Sequence, residues 1–180
     1  MKIIFLDIDG VVATQRSYTK QNTAWYGVSN ESKIPKIREG KRSREAYIPD
    51  LNLENWPFDE VAVSLLHRIV CDNEDVKIVV SSTWRNGQTV ESLEQIFQYK
   101  GLHIPIIGFT PRLNEDRGIE ILKWLEEFGD LHDVTHWCVL DDMGVSIRRH
   151  VGDKLIQTDP NIGLNEPEFG MIKKLLELDD

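Results

Sequence analysis

The chain has 180 residues, 41% of them hydrophobic, and a formal charge of −9 at pH 7. That length holds one well-buried domain with a modest insertion and is too short for two full domains. The acidic balance argues against non-specific binding of nucleic acid or anionic membrane by the protein as a whole, and no run approaches membrane-spanning length.

The first readable element is KIIFLDIDGVV, residues 2–12. Ile3, Ile4, Phe5 and Leu6 predict a strand buried on both faces. Asp7 and Asp9 follow at alternate positions, so in extended chain they project the same way. Two carboxylates at one spot repel each other, and a hard oxygen-seeking ion such as Mg2+ relieves that repulsion. Gly10 permits a sharp turn and close approach of a ligand to the backbone. An isolated D-x-D-G is equally a solvated acidic turn, so its companions elsewhere in the chain decide its meaning. The apolar stretch after Lys2 is interrupted too early for a secretory signal, and a cytoplasmic protein is expected. Cys71 and Cys138 lie in the apolar segments HRIVCD and HWCVLD, where buried free thiols are expected.

Residues 13–57 are polar, without helical or strand period, and broken by Gly27, Pro35, Gly40, Pro49 and Pro57. This stretch carries a net +3 against −12 for the remainder. A basic insertion of this length reads as a cap or flap over the acidic strand end that attracts an anionic substrate. The alternative is a solvated loop. Val61, Leu65, Leu66, Ile69 and Val70 then predict a helix over 58–72, and VKIVV a second buried strand at 76–80, ending in Ser81, Ser82, Thr83, Trp84 and Arg85. A helix is expected over 89–100, a strand at 104–109 and a loop from Thr110 to Asp116. Arg117 opens a patterned helix that Gly129 closes. THWCVLDDM, 135–143, is a fourth strand ending in Asp141 and Asp142. KLIQT, 154–158, is a short fifth strand, DPNIGL a loop, and 167–178 a final helix. Core packing is expected for Trp124 and Trp137, but not for Trp84. Alternating strands and helices argue for an α/β parallel sheet covered on both faces, with ligands at the carboxyl ends of the strands.

Those ends carry Asp7 with Asp9, Ser81 with Ser82, Arg117 at a helix start, and Asp141 with Asp142. In that order LDIDG, IVVSS, RGIEILKWL and VLDDM resemble the four motifs of the haloacid dehalogenase superfamily, phosphotransferases with a Rossmann-like sheet. The resemblance spans the chain. SSTWR, LDDM and QTDPNIGL are similar to a small group of phage and bacterial members, among them phosphatase domains associated with RNA-end repair. The resemblance implies that Asp7 is the nucleophile and forms an aspartyl-phosphate, and that Asp9 is the acid and base. It implies Mg2+ held by Asp7, the Asp9 backbone carbonyl and Asp141 or Asp142. Ser81 or Ser82 would bind a phosphoryl oxygen, and Arg117 would stabilise the transferring group. Counting from the apolar run favours Ser81, anchoring on Trp84 favours Ser82, and Ser82 is preferred. Arg112 and Lys154 are rivals of Arg117, and Asp142 could instead order the loop after it. Gly10, Trp84 and Arg85 complete the expected substrate surface.

The implied function is an Mg2+-dependent phosphomonoesterase acting on a nucleotide or a 3′-phosphorylated polynucleotide end, with a sugar-phosphate phosphatase as runner-up. A receiver-type phospho-acceptor domain gathers similar residues, but its acidic pair lies on the first strand and its acceptor Asp on the third, ahead of the hydroxyl. Here the hydroxyl strand precedes the second acidic pair. A non-catalytic binding module on the same scaffold is the remaining class. The oligomeric state is left open.

Overall fold

Four consecutive side chains with no exposure, Ile3 to Leu6, make the run after Lys2 the central strand of the sheet. The computed structural model describes residues 1–18, 58–99 and 101–179. Five strands, β1 (Lys2–Leu6), β2 (Val76–Val80), β3 (Ile106–Phe109), β4 (His136–Asp141) and β5 (Leu155–Gln157), pair in parallel in the order β3-β2-β1-β4-β5. Parallel strands need crossovers. Among the described residues these include the helices α1 (Glu60–Asp72), α2 (Val90–Tyr99), α3 (Arg117–Phe128), α4 (Gly144–Val151) and α5 (Glu166–Leu176).

The period of two in β1 divides the core. Ile4, Leu6 and Ile8 pack with Ile69 of α1, Phe97 of α2 and Ile172 of α5 on one face. Ile3 and Phe5 pack with Ile121 and Trp124 of α3 and Ile147 of α4 on the other. Each fully buried side chain of this kind contributes about 1.5–3 kcal/mol. The sheet is therefore the expected α/β, Rossmann-like one, with helices on both faces.

Apart from the ends of β3 and β5, which start at Ile106 and Leu155, four details differ from the sequence reading. Residues 144–151 are helical, where no element was expected. GVSIRRHV opens on glycine and buries only Ile147 and Val151, too few apolar positions to register as a period. Cys71 is exposed, with its sulfur 3.2 Å from His67 Nε2, because the polar side of α1 turns it outward; Cys138 is buried as expected. Gly129 caps α3 in right-handed helical geometry, so it is not the left-handed stop that a terminal glycine suggests. The fourth strand stops at Asp141, two residues short of the expected end.

Residues 19–57, most of the expected insertion, lie outside the described residues. Where the chain leaves and returns, Ala13 bridges Phe58 and the Asp59 N–H donates to the Val12 carbonyl at 2.7 Å. Asp59 is the clasp. It caps α1 by accepting from the N–H groups of Val61 and Ala62, and it takes two bonds from Arg16, each 2.8 Å. Burial alone would raise the Asp59 carboxyl; Arg16 and the cap bonds outweigh burial and hold it below the usual carboxylate range. The folded value is thus the lower one, so this stabilisation exists above the unfolded value of 3.8 and is lost as pH falls through the folded value. Asp59→Ala should lower unfolding free energy by about 2 kcal/mol near neutral pH. Urea titrations should show a constant gap to wild type from neutral pH down to about pH 5, narrowing only as pH falls below about 4.

Candidate active site

The last apolar row across the sheet is Phe109, Val80, Leu6, Leu140 and Ile156. One residue further on, every strand turns polar: Thr110, Ser81, Asp7, Asp141 and Gln157. The ladder continues into this row, since the N–H groups of Thr110, Ser81 and Asp7 donate to the carbonyls of Val80, Leu6 and Leu140. The chain fills β1 to β3 on one side and β4 and β5 on the other, so the strand order reverses between β1 and β4. Crevices at such reversals are where open α/β sheets bind ligands. Asp7 and Asp141 stand on its two sides.

Arg117, the first residue of α3, joins them. Its Nη1 donates to Asp7 Oδ2 at 2.5 Å and to Asp141 Oδ2. The remaining oxygens are also engaged: the Ile8 N–H donates to Asp7 Oδ1 and the Met143 N–H to Asp141 Oδ1, both at 2.8 Å. A cation at a helix N-terminus opposes the macrodipole, and two buried carboxylates override that cost. The rivals lie elsewhere: Arg112 is exposed, and Lys154 sits over the Trp137 ring.

Carboxylate oxygens of Asp7, Asp141 and Asp142 lie within 4.8 Å of one another. Asp141 is raised well above the usual carboxylate range by burial and by the charge of Asp7, against the pull of Arg117; Asp142 is raised by the same two causes. Three clustered hard oxygen donors, with one guanidinium between two of them, fit a divalent cation such as Mg2+. Gly10 makes room for the third. Its φ is +76°, and a Cβ there would stand 2.6 Å from Asp142 Cγ and 2.8 Å from Oδ2.

Asp9 is not part of this trio. It sits at the surface, where Trp84 Nε1 donates to its Oδ2 at 2.9 Å and the Tyr18 hydroxyl is a second hydrogen-bond partner. Partial burial, with the charge of Asp7, raises its carboxyl above the usual range although the Trp84 and Tyr18 bonds oppose the shift. Desolvation and Asp9 likewise raise Tyr18.

Ser81 and Ser82 are both fully buried. Ser82 accepts from the Trp84 N–H at 3.4 Å and caps the short turn Thr83–Arg85. Ser81, in the row of Asp7, has its Oγ 3.5 Å from Thr110 Oγ1. Arg85 turns to Thr110, at 3.0 Å, and to Glu120 Oε2 of α3, at 2.5 Å. Glu120 Oε1 accepts the Leu113 N–H. Trp124 is buried and Trp137 partly buried in the core, as expected.

Sequence reasoning missed three residues. Thr110 occupies the strand-end position that marks Ser81, and counting from the end of the third apolar run finds it. Glu120 lies one helical turn after Arg117. Tyr18 carries no signal, because it falls in an aperiodic polar stretch.

Gly10→Ala combines left-handed backbone with the collision against Asp142. Gly101 is also left-handed, at φ +76°, but a Cβ there meets nothing within 4 Å. Gly101→Ala should cost about 1 kcal/mol of unfolding free energy and Gly10→Ala about 1–3 kcal/mol more, read from urea midpoints.

Comparison with curated proteins and with solved structures gave no match. A protein-family description does match, over residues 3–169, nearly the whole chain and all four groups of site residues, Asp7 with Asp9, Ser81 with Ser82, Arg117, and Asp141 with Asp142. That family is the HAD domain in Swiss Army Knife RNA repair proteins, a phosphatase-type hydrolase fold, and this chain belongs to it.

Proposed function

We propose that the protein is an Mg2+-dependent phosphomonoesterase that works through an aspartyl-phosphate on Asp7 and acts on a phosphorylated polynucleotide end, in particular a 3′-phosphate. The observation that carries this reading is the Arg117 bridge between Asp7 and Asp141 at the reversal of strand order, with Asp142 in reach of the same cation.

Asp7 attacks phosphorus, a P–O bond forms to its carboxylate, and the bond to the leaving oxygen breaks. Asp9 delivers a proton to that oxygen and later removes one from the water that releases phosphate. Arg117 orients the Asp7 carboxylate and places positive charge beside the transferring group. A hydroxyl of the Ser81–Ser82 pair donates to a phosphoryl oxygen. Register supports Ser81: Arg85 donates to Thr110, which leaves the Thr110 proton for Ser81 Oγ and the Ser81 proton for a ligand. Asp7, Asp141, Asp142 and the Asp9 carbonyl would hold Mg2+, which when bound lets an anionic nucleophile approach an anionic phosphate.

Two observations support the substrate class. The matched family is described by its place in RNA repair proteins. Residues 13–57, read as an insertion within a single domain spanning 1–180, concentrate positive charge, +3 against −12 for the rest. In an anionic protein that asymmetry favours an anionic polymer over a small sugar phosphate.

The test is phosphate release with Mg2+ from 3′- and 5′-phosphorylated RNA oligonucleotides and from sugar phosphates. The 3′-phosphorylated oligonucleotide should give the highest kcat/KM, falling with salt. Neutralising Arg38, Lys41, Arg42 and Arg44 together should raise KM for the oligonucleotide about ten-fold or more while leaving sugar phosphates unchanged. Equal activity on both classes, unaltered by the neutralisation, would contradict the substrate assignment.

A further inference from the structure

We infer that Trp84 and Tyr18 are positioning residues for Asp9, a two-donor clamp that aims its carboxyl at the leaving oxygen. The inference rests on the reading of Asp9 as the proton donor. A general acid has to present its proton within hydrogen-bond reach of the departing oxygen. Asp9 stands at the surface after the end of β1, and its carboxylate takes its hydrogen bonds from side chains outside the sheet. The two aromatic side chains supply that constraint from separate parts of the chain.

Each carrier is itself held. The Trp84 ring stacks on Phe58, with centroids 5.8 Å apart, and Phe58 stacks on Phe97 at 4.9 Å, which ties the indole to the core. Its backbone N–H is fixed by Ser82. Tyr18 lies in a helical turn in which the Thr14 N–H donates to Ser17 Oγ, the Ser17 N–H to Thr14 Oγ1, and the Tyr18 N–H to the Thr14 carbonyl. An indole N–H can only donate, so Asp9 Oδ2 serves as an acceptor and the transferable proton rides on Oδ1. As the P–O bond breaks, the electron pair goes to the bridging oxygen and the Oδ1 proton follows it. A phenol O–H can donate to a lone pair of the carboxyl whether that carboxyl is protonated or ionised, so Tyr18 stays bonded to Asp9 before and after transfer.

This assignment has a kinetic signature that a merely structural role lacks. Aiming the acid matters for an alkoxide leaving group and hardly matters for p-nitrophenolate, which departs without a proton. The experiment measures kcat/KM with Mg2+ for p-nitrophenyl phosphate and for β-glycerol phosphate, in wild type, Trp84→Phe, Tyr18→Phe and Asp9→Asn. Trp84→Phe keeps a ring over Phe58 and removes only the donor; Tyr18→Phe removes a single surface oxygen. Each should lose about ten-fold on β-glycerol phosphate and less than about two-fold on p-nitrophenyl phosphate. Asp9→Asn should show the same selectivity at about a hundred-fold or more. Selective loss in Asp9→Asn, but equal loss or no loss on the two probes in both aromatic variants, overturns the clamp and leaves Asp9 as the acid. An Asp9→Asn variant that does not distinguish the probes overturns the role of Asp9, and the clamp with it.

Discussion

The structure depends on one guanidinium. Arg117 starts α3 where a cation is least welcome, and it stays because Asp7 and Asp141, both buried, converge on its Nη1 from adjacent strands. The rest of that first turn is tied down as well. The Asp116 carboxylate pairs with Arg149 and lies 3.3 Å from His150 Nε2 at the end of α4. Glu120 reaches Arg85 after β2 and the Leu113 N–H after β3. One helical turn thus connects the ends of four strands and a second helix, and it holds two carboxylates at a set spacing.

That arrangement is costly to stability. Removing charges from water is costly, and a single cation compensates only part of the charge on Asp7, Asp141 and Asp142. The raised Asp141 and Asp142 carboxyls express the imbalance. A divalent cation is the natural complement. Gly10 serves the same end, since its missing Cβ is the space that the Asp142 carboxylate uses, and its carbonyl is pinned by the Thr158 hydroxyl at 2.9 Å.

Most of this could be read from the sequence wherever local pattern and tertiary role agree. β1, β2 and β4 are apolar runs ending in chemistry, and their order along the chain carried both the sheet and the motif resemblance. The family match over residues 3–169 bears out that resemblance. What escaped is what local pattern cannot encode. α4 has too few buried positions to show a period. The outward side of Cys71 depends on which face of α1 meets the sheet. The partners of Arg85 depend on strand register, which sets Thr110 beside Ser81. Tyr18 meets Asp9 across a turn in which Ala13 bridges both Asp9 and Phe58, a tertiary arrangement that local pattern does not show.

The central claim is that Asp7 carries the phosphoryl group, and the direct measurement is its location during turnover. Enzyme mixed with Mg2+ and a 3′-phosphorylated RNA oligonucleotide, quenched in acid and digested, should yield the N-terminal peptide with one phosphoryl mass increment on Asp7, removed by hydroxylamine as an acyl phosphate. A phosphoryl group on another residue, or turnover with Asp7 never modified while substrate saturates the enzyme, would contradict the account.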